Sequence, residues 1–577
     1  MDALSEELQR SVGQLSLPDA DTLPDADTLP DADTLPDADT PYYVAYRLLD
    51  VHRLELVAQL GGLLGASEVV PSRELGVEVR VGSPEHDNSN FESFDNGSRR
   101  RPLVIDGGTV ALRHDAWLAT DEAYKGAVET LAAKEAAMRR RAEPDPLPDY
   151  VPSEPQQAEA EPAAPVEAGP LAQLVRSLSA VFLDHPEIEL SRVYGAAEHG
   201  RRAVIDSRGG RVVEPVQQVV VRAVARARAE DGTTVVDQVD WVVSRPEALP
   251  PPEAMTAEVE ALARRLEAWR GVPAAEAEYV GPILFEGDAA VDLVRHLLLP
   301  PLQGTPPTEE APQGSRVFAW DSRGAGGPMR IKRRILPPGF TVIDDPGRDP
   351  AWPSSYRFDH EGEPARPVTL VSDGIVRGHL MSRTPNASVA GSNGHGRGRL
   401  GELVRAMPAN PELSVDRISS PRRLHRRAVR LAADYDLDHY VVVRRLAEPA
   451  VSSLDGGPMV TVRSLLGFDE ISLPDPVVVV RVFADGREEP VRGVSLSGLD
   501  VRSLRDIVGA GASQQRTVLV PPPGERVSPT GGEAVTLIVP DLLLGEAELA
   551  PSIGDAERPP TLPSPLARDQ PPPRSEP

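Results

Sequence analysis

The chain reads as an α+β protein: an N-terminal α/β domain of antiparallel strands with long helices, followed by a strand-rich C-terminal domain. Short runs of β-branched residues bounded by Gly, Pro, Asp and Ser recur through both halves, the pattern of strands ending in turns. Helical periodicity is concentrated in two long stretches of the first half. With 577 residues the chain exceeds one small domain and has the apolar content for two or three cores.

Residues 1–40 open with MDALSEELQRSVGQL, an acidic amphipathic helix without the basic start and apolar core of a signal peptide. Four tandem LPDADT copies follow over 17–40. A six-residue period with Pro and two Asp per copy buries no core, so it reads as an extended, disordered acidic spacer. It lacks the glycines and closing Glu of calcium-binding loops.

The block 41–302 forms the N-terminal and central α+β region. PYYVAYRLLD, RLELVAQLG and LGVEVRVGS read as short strands, with EHDNSNF and VIDGGTVALR continuing the pattern. A helix is expected from about Asp121 to Arg141, with Tyr124, Val128, Leu131 and Met138 on one stripe. Residues 142–170 are Pro-, Glu- and Ala-rich and read as a linker or exposed insertion. Further strands run to VVDQVDWVV, with a turn at Glu230-Asp231-Gly232. A helix Thr256–Arg270 buries Val259, Leu262, Leu266 and Trp269 and stops at Gly271 and Pro273.

The polar insert GTPPTEEAPQG leads to the strand-rich domain at 315–550. There Asp373-Gly374 marks a hairpin, Ser420-Pro421 opens a helix, and LDVRSLRDIVGAG reads as a helix closing on glycine. Residues 551–577 form a proline-rich tail expected to be disordered.

Composition narrows the function. Sixty prolines and 4% aromatics imply unstructured sequence beside the folded parts. A net charge of −27 disfavours nucleic acid, which needs a concentrated basic surface. The arginine clusters Arg139–Arg141 and Arg422 to Arg430 read as solvated helix faces. The absence of Cys removes disulfides, iron–sulfur clusters and thiol nucleophiles. No apolar run reaches 18 residues, so no membrane span is expected, and the chain reads as cytoplasmic.

The segment carrying most chemistry is Tyr279–Gly304, YVGPILFEGDAAVDLVRHLLLPPLQG. It resembles the TldD/PmbA family, in which a "GP-V-L-(D/E)…AA" run leads into a helix bearing HExxxH and then "GLEG". Aligned without gaps on Ala289–Ala290 and Leu302-Gln303-Gly304, the first His falls on Arg295, the Glu on His296 and the second His on Pro300. Keeping His296 as the second His puts Val291 and Asp292 at the His and Glu. Arg is no zinc ligand at neutral pH, and Pro300 ends a helix. Ligands five apart on a regular helix are rotated by about 140°, so such a pair needs a distorted helix. Here Leu297-Leu298-Leu299-Pro300 looks like packing. Active relatives are expected to use a thiolate as well, and this chain has no Cys.

A second match is RPVTLVSDGIVRGHLMSRTP…SNGHGRGR, similar to the family's C-terminal strands and glycine-rich loop. Asn393, Gly394, His395, Gly396 and Arg397 are the candidate substrate-binding residues, offering backbone N–H groups and a guanidinium to a carboxylate or main chain. The alternative is a flexible loop of turn-formers. VRGVSLSGLDVRSLRDIVGAG and IVPDLLLGEAELAP also match, in collinear order over most of 41–550.

His296, His360, His379 and His395 lie within about a hundred residues and could converge on a metal, but their scatter over strands and loops reads as surface or core. His360-Glu361 lacks a ligand five residues on and reads as coincidence. No G-x-S-x-G elbow supports serine hydrolysis.

The resemblance therefore implies a metallopeptidase homologue, a hydrolase scaffold whose zinc ligands are lost, tied to proteolysis or peptide processing. The reading is a metal-less partner or peptide-binding subunit with no cofactor. Its partners would be a peptide or unfolded protein, and a TldD-type HExxxH paralogue or a second copy in a homodimer. The alternative is an active peptidase, with zinc at a non-standard site. A secreted or surface structural protein has only the repeats and tail in its favour.

Overall fold

The computed structural model describes residues 1–15, 40–65, 67–91, 93, 96–139, 147–306, 328–447, 473–519, 533–552 and 564–566. The LPDADT repeat up to Asp39, Arg140–Arg141, most of the GTPPTEEAPQG insert and nearly all of the proline-rich tail lie outside the described residues.

The first sheet has nine strands. Its centre is Pro41–Gln59, flanked antiparallel by Val70–Ser83 on one side and Ile188–Asp206 on the other. Arg211–Arg228 and Thr234–Val243 continue outward, again antiparallel. The sequence suggests separate short strands at 41–50 and 53–61. They are one 19-residue strand instead, because no breaker separates them and partners pair along its length on both sides.

Alternation along that strand sorts the faces. Val44, Tyr46 and Leu48 pack with helices α1 (Asp2–Val12) and α2 (Thr109–Met138). Leu54, Leu56 and Ala58 pack with α3 (Ala168–Ala180) and α4 (Pro252–Arg270). All four helices thus cover one face, while Tyr43 and Arg47 point to the other, where the second domain sits.

Three sequence expectations change here. α2 begins at Thr109, so VIDGGTVALR supplies its first residues rather than a strand; Gly107-Gly108 breaks the chain before it. The linker reading of 142–170 fails for 147–167. Tyr150 is 2% exposed, stacked beside Tyr43 and under the Arg80 guanidinium, and Gln157–Glu159 pairs parallel with Arg211–Arg228. Thr256 lies inside α4, where its hydroxyl donates to the Pro252 carbonyl, and the helix starts with the Pro252 ring at its first turn.

The second sheet has eleven strands, with Val535–Pro551 and Tyr279–Phe285 adjacent at its centre. Tyr279–Phe285 pairs parallel with His439–Leu446 on its other side. The segment 279–302, attached by sequence to the first block, therefore belongs to the second sheet's core. Asp373 and Gly374, both at positive φ, make the hairpin turn between Val368–Ser372 and Ile375–Val376. α6 (Pro421–Asp434) starts at Ser420-Pro421. The expected helix over LDVRSLRDIVGAG is only a turn at Ser503–Asp506, since Ile507–Leu519 pairs with Val535–Pro551 and its β-branched start suits a ladder. Among the described residues no helix is long and apolar enough to cross a membrane.

Candidate functional site

The segment that resembles a metal-binding helix follows Tyr279–Phe285 through Gly287, which turns the chain at φ +57°. Helix α5 (Asp288–Leu293) is buried on every side, at Ala289, Ala290, Val291, Asp292 and Leu293 alike. It continues as a π-turn over Val294–Leu298, in which the Leu299 N–H donates to the Val294 carbonyl at 3.1 Å. This i→i+5 turn brings residues five apart toward the same side, the distortion a ligand pair at that spacing requires. No glycine marks the turn, and the chain closes after it into a 3₁₀ turn over Pro300–Leu302. Leu297, Leu298 and Leu299 are buried, as packing residues.

The donors do not suit zinc. Arg295 lies 3.7 Å from Asp292, and a guanidinium has no lone pair to offer. Pro300 has no side-chain donor atom. Burial, with Arg295 beside it, pushes His296 down to about 3, leaving one neutral imidazole. No three His, Cys, Asp or Glu side chains gather as a metal-binding group among the described residues.

The loop carrying Asn393 to Arg397 is built into the domain interior. The Asn393 side chain accepts from the Met381 N–H at 2.8 Å and donates to the His379 carbonyl at 2.8 Å. Gly394 sits at φ +77°, where an added Cβ would lie 2.4 Å from the Pro364 carbonyl oxygen. His395 is fully buried, bonded through Nδ1 to Asn393 Oδ1, with Nε2 3.7 Å from Asp344. The Gly396 N–H donates to Asp359 at 2.8 Å. Of the five, Arg397, itself 2% exposed, borders a cleft, and Asn393 is half-buried.

That cleft has a volume of about 650 Å³, within the usual range for ligand sites. One wall is the helix-free face of the first sheet, with Arg47, Arg53, Glu198, Arg202 and Glu214. The other is loops of the second domain around Trp352, Tyr356, His360, Arg397–Leu400 and Glu533. Polar contacts bridge the walls. Arg47 donates to the carbonyls of Gly398 and Glu402, and the Arg357 Nε donates to Glu214 at 2.9 Å. Arg202 donates to His360 Nε2 at 2.6 Å, as only a neutral imidazole can accept, and Nδ1 lies 2.9 Å from the Gly398 carbonyl oxygen and 3.2 Å from the Gly398 nitrogen. Burial pushes His360 down to about 3, consistent with this neutral form. Its neighbours Asp359 and Glu361 are pushed up by burial; each other's proximity and three backbone N–H groups on Asp359 shape the pair.

Residues 279–424 match the family model of the PmbA/TldA metallopeptidase C-terminal domain. That match spans both the helix 288–302 and the glycine-rich loop. Solved structures resemble this chain at the level of fold. A candidate modulator of a DNA gyrase from Thermotoga maritima is 15% identical, with a TM-score of 0.53, covering 88% of this chain and 96% of that one. TldE from Thermococcus kodakarensis is 14% identical, TM-score 0.53, over 88% and 97%. A candidate modulator of DNA gyrase from Bacteroides thetaiotaomicron is 10% identical, TM-score 0.53, over 88% and 95%. A comparison with curated proteins returns no match.

Sequence reasoning did not single out Arg47, Arg202, Glu214 or Glu533 in the cleft, and weighed His360 only as a metal ligand. No motif joins them. His360-Glu361 was readable only as a failed metal pair, because its partners come from strands more than a hundred residues away.

Proposed function

We propose that this chain is a TldD/PmbA protein that serves proteolysis or peptide processing in the cytoplasm as a metal-less, peptide-binding subunit. It would work beside an HExxxH-bearing paralogue or in a homodimer. The observation that carries the reading is the helix 288–302. Its wide π-turn keeps the shape suited to ligands five apart, while Arg295, His296 and Pro300 at those positions form no zinc donor set. The cleft of about 650 Å³ supports a retained binding role, with Arg397 of the glycine-rich loop in its wall.

Metal content and peptidase assays on the full-length chain, purified natively, test this. The expected result is zinc far below one per chain, negligible cleavage alone, and co-purification with an HExxxH protein or a second copy. Stoichiometric zinc with chelator-sensitive peptide cleavage would overturn it in favour of an active peptidase with a non-standard site.

A further inference from the structure

The cleft is electropositive inside a strongly acidic chain. Eight arginines line it against four glutamates, while the whole chain carries −27. Local pairing leaves much of that charge uncancelled. Glu74 takes both Arg53 and Arg100, Arg53 also pairs with Glu198 at 2.8 Å, and Glu214 takes Arg357. Arg47 and Arg397 spend their Nη groups mainly on carbonyls, of Gly398 and Glu402 and of Pro408 and Ala534. Arg202 bonds the neutral His360 and the Phe358 carbonyl, and lies 3.6 Å from Glu214, which it shares with Arg357. Carbonyl dipoles satisfy hydrogen bonds without neutralising a guanidinium. Arg245 and Arg399, at the rim, have no side-chain hydrogen bond or ion pair among the described residues.

Glu533 shows what this field does to an anion. Its carboxylate lies 3.5 Å from Arg397 and 3.8 Å from His360. Burial opposes its ionisation, yet the Arg397, Arg202 and Arg47 guanidiniums hold it below its ordinary value. Beside it, Trp352 and prolines 346, 350 and 353 offer apolar surface for a chain to lie on. The four glutamates would repel a dense polyphosphate, so the cleft suits isolated charges on a peptide rather than a nucleic acid.

We propose that the cleft selects peptides bearing carboxylates, received by Arg399, Arg202 and Arg357, with Glu533 as an internal anion that competes for the same field. The shared chemistry is a carboxylate, from a free C-terminus or from Asp and Glu side chains. This rests on the peptide-binding reading above.

Isothermal titration of the full-length chain with three pentapeptides tests it: an acetylated, amidated polyalanine; its free-acid form; and an amidated form with a central Asp. Charge-assisted hydrogen bonds predict that at least one carboxylate-bearing peptide binds about tenfold or more tighter than the neutral one. Which of the two does so identifies the source. Added salt should shrink the preference. Arg399→Gln, at a side chain with no hydrogen bond or ion pair among the described residues, should reduce it severalfold, and Glu533→Gln should tighten carboxylate binding. Equal affinity for all three peptides, or a preference untouched by both variants, overturns the inference and leaves peptide binding standing. Binding of none of them removes the peptide-binding reading itself.

Discussion

Replacing Gly396 by alanine tests how the glycine-rich loop is held in place. A Cβ built on Gly396 would lie 2.5 Å from Glu361 Oε2, 2.9 Å from Asp359 Oδ2 and 3.0 Å from Val404 Cγ1. Both carboxylates are buried and occupied. Glu361 Oε2 accepts from the Arg383 N–H at 2.7 Å, and Asp359 accepts from the N–H groups of Glu361, Glu363 and Gly396. Moving either one strands a buried donor, at about 1–3 kcal/mol. The extra methyl adds an overpacking cost of about 1–3 kcal/mol. A total of about 2–6 kcal/mol is expected. Gly391→Ala in the same loop is the control, since a Cβ there meets nothing within 4 Å, and it should stay within about 0.5 kcal/mol. Hydrogen exchange read by mass spectrometry at Arg383, Glu363 and Gly396 reports the local opening energy without assuming two-state unfolding of the whole chain. If Gly396→Ala and Gly391→Ala protect these amides equally, the two carboxylates do not pack over Gly396.

Three further outcomes are expected. Leu298→Ala, at a fully buried position in the π-turn, should destabilise the second domain by about 2–5 kcal/mol; a urea-midpoint change no larger than for a surface substitution would show that the turn does not pack as described. Burial raises the carboxyls of Asp359 and Glu361, so the folded state holds more protons than the unfolded one above the ordinary carboxylate range, and stability falls as pH rises from there through neutrality. Glu361→Gln should therefore gain relative to the parent as pH goes from 5 to 8.5, and a difference in urea midpoint that ignores pH contradicts this. Arg383 is 2% exposed and bonds Glu363, Tyr150 and Tyr43 across the domain boundary. Arg383→Ala should cost about 3–5 kcal/mol by stranding Glu363, whereas normal thermal stability would mean the ion pair contributes little.

Local signals were legible where a residue's role is set by its neighbours in sequence. Asp373-Gly374 named its own turn, Ser420-Pro421 its helix start, and Val259, Leu262, Leu266 and Trp269 their buried stripe. They failed where pairing overrode propensity. Ile507–Leu519 is a strand because Val535–Pro551 offers it a ladder, and the Pro- and Glu-rich 147–167 is ordered because Tyr150 finds a pocket among Tyr43, Arg80 and Arg383. The π-turn at Val294–Leu298 had no glycine to announce it.

The sequence by itself determined the α+β class, the resemblance carried by 279–424, and the lack of zinc donors at Arg295 and Pro300, because these depend on residue type and order. Only the tertiary structure decided that Asn393 to Gly396 are interior pins while Arg397 faces a cleft. Only it could join Arg47 and Arg202, on strands of the first sheet, to His360 and Glu533 in the second domain. Charge in a cleft depends on which side chains meet across a boundary, and neither spacing nor composition records that distance.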